Sequence, residues 1–291
     1  MNKIILLSIF ALCASVAQAD TTSSCASALA AGDYTKAAEA GRNPQGFTDT
    51  MCLGKALRGQ GKYSEASRVF IDAEKAAPGG FEHVMAVIYQ ARTLHDAGQA
   101  PQAMGTYQRC LELATKENIR QGQLVCLNEP GQMLLDQHDP KAALARFEQA
   151  SPLIANDNER ATWNELQASA YRQMADYDHA IEHQLRATTE QHSSGDLNHY
   201  VNATLELAAI RTDAKDYNAA QRNIDEALDQ ARSGGSAYWE AKALLYQGRL
   251  EKAKGNASQA QTLFTQSSVL ANKVGEPSLI SDIAIELKQN K

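Results

Sequence analysis

Two imidazoles one helical turn apart, with a carboxylate between them, can share a zinc ion while the carboxylate serves as base. His179-Ala180-Ile181-Glu182-His183 has that spacing. A hydrolase built on residues 179–183 would also need a third ligand and a substrate-binding element, and neither is evident in the sequence around it. The other reactive groups are five cysteines, Cys13, Cys25, Cys52, Cys110 and Cys126. No CxxC and no Cys/His spacing suited to zinc occurs, so redox catalysis and a structural metal lack support. G-x-S-x-G, P-loop and G-x-G-x-x-G motifs are missing too, and Gly79-Gly80 and Gly234-Gly235 read as helix stops rather than phosphate cradles. The expectation is therefore no metal, no cofactor and no enzyme activity.

Composition bounds what must position these groups. The 291 residues are 44% hydrophobic, 21% charged and 6% aromatic, enough for a sizeable core and unlike a disordered or polytopic membrane chain. A formal charge of -6 disfavours a globally basic nucleic-acid binder. Lys3, the mostly apolar run 4–16 and the small-x-small site Ala17-Gln18-Ala19 predict a cleaved signal peptide over residues 1–19, and hence a periplasmic or secreted product. No later stretch approaches about twenty consecutive apolar residues, so no transmembrane anchor is expected after cleavage. With Cys13 removed, four cysteines remain in an oxidising compartment, where disulfides persist; they allow three pairings.

A repeat runs through the remainder. Turn-like tripeptides recur as Gly32-Asp33-Tyr34, Gly61-Lys62-Tyr63, Gly98-Gln99-Ala100, His138-Asp139-Pro140, Ala175-Asp176-Tyr177, Lys215-Asp216-Tyr217 and Gly255-Asn256-Ala257, at steps of 29, 37, 40, 37, 40 and 40 residues. Five residues after each start stands alanine: Ala37, Ala66, Ala103, Ala143, Ala180, Ala220 and Ala260. Seven residues before each start the side chain is small: Cys25, Gly54, Ala91, Gly131, Ala168, Ala208 and Gly248. Nine residues after it, Phe70, Tyr107, Phe147, Ile224 and Phe264 are large, whereas Gly41 and Gln184 break the rule. Apolar residues recur at three- and four-residue steps, as a helix face requires. Each unit therefore reads as two antiparallel helices, with small residues at their close approach and a large one filling the gap to the neighbour. Ala180 as a packing residue places His179, Glu182 and His183 towards the outside of a second helix.

In this frame Cys25 and Cys52 fall on neighbouring first helices, and Cys110 and Cys126 on a second helix and the helix after it. That favours Cys25 with Cys52 and Cys110 with Cys126; the competing reading is four buried thiols at packing positions. Pro130 falls inside a first helix, which should kink or restart near Asn128, or simply begin late with Pro130 in its first turn.

Taken together the pattern resembles the tetratricopeptide repeat family. Its best copy spans 47–80, with Leu53-Gly54, Gly61-Lys62-Tyr63, Ala66, Phe70, Ala73 and Pro78 in register. The resemblance covers about 25–273 and implies an all-α, right-handed α-solenoid of antiparallel helix pairs. This would be a single domain over 20–291, with six to seven repeats near 20–46, 47–80, 84–117, 124–157, 161–194, 201–234 and 241–274, and a capping helix over 276–291. Steps longer than the family's period of about 34 residues imply longer helices or loops. The family also implies a concave groove lined by first helices. Mapping its ninth and twelfth positions, with one neighbouring asparagine, nominates Lys55, Arg58, Arg92, His95, Asn128, Gln132, Arg172, Arg249 and Lys252 as partner-binding residues. Such cations suit an acidic peptide or a C-terminal carboxylate, although Asp96, Asp136 and Asp213 adjoin them. The expected function is an exported scaffold that binds a protein or peptide in the cell envelope; the alternatives are a peptide or small-ligand sensor, or a zinc-dependent hydrolase using 179–183.

Overall fold

A computed structural model describes residues 24–290; the expected signal peptide lies outside them. The chain divides into two compact units, one ending at Gln137 and the other starting at His138. The first holds α1 (Ser24–Ala30), α2 (Tyr34–Ala40), α3 (Phe47–Gly59), α4 (Tyr63–Lys75), α5 (Gly80–Asp96), α6 (Ala100–Lys116) and α7 (Arg120–Asp136). The second holds α8 (Pro140–Ala150), a 3-10 turn at Ser151–Leu153, α9 (Asp157–Gln173), α10 (Tyr177–Ser194), α11 (Leu197–Asp213), α12 (Tyr217–Ser233), α13 (Ala237–Ala253), α14 (Ala257–Val274) and α15 (Pro277–Gln289). Within each unit consecutive helices pack as hairpins, and first helices of adjoining hairpins also touch, as α3 does α5 and α11 does α13.

The first two positions of the turn tripeptide have separate jobs. Its first residue is left-handed in all seven copies, with φ of 72° at Gly32, 75° at Gly61, 73° at Gly98, 60° at His138, 58° at Ala175, 62° at Lys215 and 87° at Gly255. Within a unit that reversal sends the chain back antiparallel. Where the second residue is aspartate it caps the next helix: the carboxylates of Asp33, Asp139, Asp176 and Asp216 accept from the backbone N–H groups of Lys36, Ala142, His179 and Ala219, whereas Lys62, Gln99 and Asn256 make no such bond.

The recurring alanine is fully buried in every copy, from Ala37 to Ala260. The small and large positions meet within one hairpin. A Cβ added at Gly54 would lie 2.5 Å from the Phe70 ring, and one at Gly248 would lie 2.4 Å from that of Phe264. The two exceptions have local explanations. A Cβ added at Gly41 would lie 3.3 Å from Cys25 Sγ and from Leu53 Cβ, so the Cys25–Cys52 disulfide between α1 and α3 occupies the large residue's place. Gln184 is buried, and its amide donates to the Ala203 carbonyl at 3.1 Å, tying α10 to α11. The second disulfide, Cys110–Cys126, joins α6 to α7 with a Cα separation of 5.9 Å, completing the pairing expected from the repeat frame.

The long repeat steps are helix, not loop. α5, α7, α9, α11 and α13 each have 17 residues and start four residues ahead of the frame set by the family pattern, about one added turn. Pro130 corrects the expected restart or late start, because α7 runs unbroken through it. An interior proline costs about 3 kcal/mol. Here the turns on either side are fixed by buried Leu124, Leu127, Met133 and Leu135 and by the disulfide at Cys126, which offset that cost. At the far end, Leu279 and Ile283 of α15 pack on Leu245, Phe264 and Ala271, covering the last hairpin as a cap.

Candidate partner-binding face

The nominated cations lie on first helices, and most of them grip the next first helix along. Arg58 Nε on α3 donates to Asp96 on α5 at 2.6 Å. Arg92 on α5 meets Glu129 on α7 through Nε, 3.0 Å from both carboxylate oxygens, and also through Nη2. In the second unit Arg172 on α9 donates to Asp213 on α11 at 2.6 Å and lies 3.7 Å from Glu206. Arg249 and Lys252 on α13 converge on Glu286 of α15 at 2.8 and 3.0 Å. Partners are 34 to 41 residues apart, about one repeat step. The field expected from a run of cations is thus answered carboxylate by carboxylate within each unit.

Lys55 differs. It makes no ion pair, and its ammonium sits over the Tyr89 ring, 4.6 Å from the centroid, with the Arg92 guanidinium on the same ring at 5.2 Å. Beyond Arg92, Glu129 also accepts from the Tyr107 hydroxyl at 2.6 Å. Burial would weaken the Arg92 charge, but the hydrogen bond and charge of Glu129 outweigh it and hold the guanidinium protonated; Tyr107 is pushed up first by burial and then by Glu129. One residue before Glu129, Asn128 leaves a buried Oδ1 without a hydrogen-bond partner. His95 and Gln132 are half-buried and make no side-chain hydrogen bond. Lys55, Tyr89, Arg92, Glu129 and Tyr107 therefore form one connected group, whereas Arg172 and the Arg249–Lys252 pair stand in the second unit.

Sequence reasoning missed several polar residues on the same face of the second unit. Lys242 donates to Asn202 at 2.6 Å and stacks near Trp239 and Tyr246; Trp239 Nε1 donates to Asn198 at 2.5 Å, and the Tyr246 hydroxyl bonds Glu206. Burial lowers the Lys242 pKa and raises that of Tyr246, the latter aided by Glu206. Burial, then the Glu206 charge, pushes the Glu165 carboxyl up to about 7 against the pull of a hydrogen bond to Gln191 and of Lys242. A usable signal existed: Asn198 to Trp239, Asn202 to Lys242 and Glu206 to Tyr246 are each separated by one repeat step of 40 or 41 residues.

The histidine pair is divided between two tasks. His179 is exposed; its backbone N–H and ring Nδ1 both engage the capping Asp176, the ring at 2.8 Å, which raises its pKa. His183 is half-buried rather than facing outward, with Nδ1 at 2.9 Å from Asn164 Oδ1 and its ring against Trp163 and Tyr171. Burial lowers its pKa. Among the described residues no group of three His, Cys, Asp or Glu side chains is placed to hold a metal ion. In the same residues no helix is long and apolar enough to cross a membrane.

No protein-family model and no curated protein matches the sequence. Solved structures do match it in shape. A tetratricopeptide repeat protein from Parabacteroides merdae is 16% identical with a TM-score of 0.59, over 89% of this chain and 96% of that one. The fold is that of tetratricopeptide-repeat proteins. A Rap protein complexed with competence and sporulation factor is similar at 14% identity and a TM-score of 0.58, over 89% of this chain and 79% of the other. The Cut9–Hcn1 hetero-tetramer of the APC/C gives 17% identity and a TM-score of 0.56, over 91% of this chain and 48% of that one.

Proposed function

We propose that this protein is an interaction scaffold, not an enzyme, that holds a protein or peptide partner on the first-helix face of its repeats. The carrying observation is the Lys55–Tyr89–Arg92 group, where a cation without a carboxylate stands beside others already paired. A partner carboxylate, from an acidic side chain or a chain end, would meet Lys55 first, and could engage Arg58 or Arg92 only by exchange with Asp96 or Glu129. Two of the similar folds were solved with a bound factor or in a hetero-tetramer, which supports binding as a use of the fold. The leader-like first nineteen residues and two disulfides support an exported, periplasmic or secreted setting.

The decisive variant is Lys55→Glu rather than a change at Arg58, because Arg58 also braces α3 to α5 through Asp96. Crosslinking and pull-down from intact cells should recover a partner with the parent chain and lose it with Lys55→Glu, while the melting temperature stays unchanged. Undiminished capture by a folded Lys55→Glu protein would remove the face from consideration.

A further inference from the structure

A second surface differs from the first-helix face in having its charges free. Between α2, α3 and α4 lies an open cleft of about 500 Å³. Its existence follows from the length of α2. At seven residues α2 is about 10 Å long, whereas α4 with 13 residues is about 20 Å and α6 with 17 about 26 Å. The chain turns away at Gly41 over the Cys25–Cys52 bridge. The line along which a longer second helix would have covered α3 is left open by roughly two turns, and Leu53, Leu57 and Val69 form its apolar floor.

The edges carry recognition chemistry. Arg42, Lys62 and Arg68, with Glu39 and Glu65, line the cleft, are exposed, and make no side-chain ion pair. That contrasts with the ion-paired arginines of the first-helix face. Three free cations against two free carboxylates leave the rim with one net positive charge. Gln60, also in the lining, donates its amide N–H to the Tyr34 carbonyl at 2.9 Å, while its Oε1 is buried without a donor. A buried acceptor without a partner costs about 1–3 kcal/mol, which an incoming N–H would relieve.

We infer that this cleft is a distinct binding site for a short amphipathic, acidic peptide segment of a partner, about two helical turns long. The segment lies along the line that α2 leaves unfilled, with its aliphatic side chains on Leu53, Leu57 and Val69. One of its N–H groups donates to Gln60 Oε1, and its carboxylates face Arg42 and Arg68.

The test uses the full chain and two acetylated, amidated heptapeptides with leucines spaced three and four residues apart, one flanked by glutamates and its twin by lysines. Methyl shifts of Leu53, Leu57 and Val69 should move on titration with the acidic peptide, and fluorescence anisotropy should show binding at least tenfold tighter than for the basic twin. Arg42→Glu with Arg68→Glu should reduce acidic-peptide binding, followed at these three methyls, at least tenfold, and Gln60→Leu severalfold. Unmoved methyls, or equal affinity for the two peptides, would overturn the assignment without any variant being made. So would acidic-peptide binding that is unaltered in the folded double arginine variant.

Discussion

Alanine for glycine inside a helix ordinarily stabilises, by about 1 kcal/mol, so Gly54→Ala tests whether the small position of the repeat is there for packing. At Gly54 the new methyl carbon would lie 2.5, 2.8 and 2.9 Å from three carbons of the Phe70 ring, which is fully buried. Ordinary carbon contacts are about 3.5–4.0 Å, so the ring or α3 must shift by roughly an ångström. Overpacking of this kind costs about 1–3 kcal/mol, which outweighs the propensity gain and leaves Gly54→Ala less stable by about 1 kcal/mol. Gly105 in α6 is the control: it is exposed and an added Cβ meets nothing within 4 Å, so Gly105→Ala should stabilise by about 1 kcal/mol. Urea denaturation followed by circular dichroism should therefore separate the two variants by about 2 kcal/mol with opposite signs. Phe70→Leu removes ring atoms that the methyl strikes, so adding it to Gly54→Ala should show a favourable coupling of about 1 kcal/mol or more. Equal stabilisation by the two alanines, or strict additivity with Phe70→Leu, would show that the small residue is not set by the ring.

Three further outcomes are expected. Lys215→Gly and Ala175→Gly should each stabilise by about 1 kcal/mol in thermal or urea unfolding, because both residues hold a left-handed φ that a Cβ disfavours, while Gly61→Ala should lose a similar amount. Glu165 binds its proton more tightly folded than unfolded, so its stabilising effect is full below pH about 4.5 and is lost as pH rises through about 7. Glu165→Gln should flatten that decline and gain up to ~3 kcal/mol at pH 8, read from melting temperature against pH. Replacing Cys110 and Cys126 together by serine opens a loop of sequence separation 16 and should cost about 3 kcal/mol, as should reduction of that bridge in the parent protein.

The hairpin frame was legible because its determinants are local and recur: a left-handed residue, a capping aspartate, a buried alanine, and a glycine facing a phenylalanine. The same locality made both disulfide pairings readable, since Cys25 with Cys52 and Cys110 with Cys126 fall on helices that the frame sets side by side. Charge was harder to read. Arg58, Arg92 and Arg172 look available when one repeat is considered alone, and their carboxylates appear only when residues a repeat step away are laid beside them. His183 is half-buried rather than fully outward because Ala180 fixes the helix face but not the reach of an imidazole towards Trp163 and Tyr171. Pro130 does not end α7, because a rule for isolated helices ignores the buried side chains and the bridge that hold the turns on either side of it. The cleft beside α2 left only an indirect trace in the sequence, Gly41 in a place reserved for bulk.

The ion pairs described between first helices, Arg58–Asp96, Arg92–Glu129, Arg172–Asp213 and Arg249–Glu286, run one way: the cation belongs to the earlier helix and the anion to the later. A hairpin duplicated in the same direction would again set cation against anion, because α5 carries Asp96 towards α3 and Arg92 towards α7, whereas one inserted the other way round would set like charge against like. Order along the chain is therefore written in electrostatic polarity, which sets a direction of assembly that shape alone leaves ambiguous.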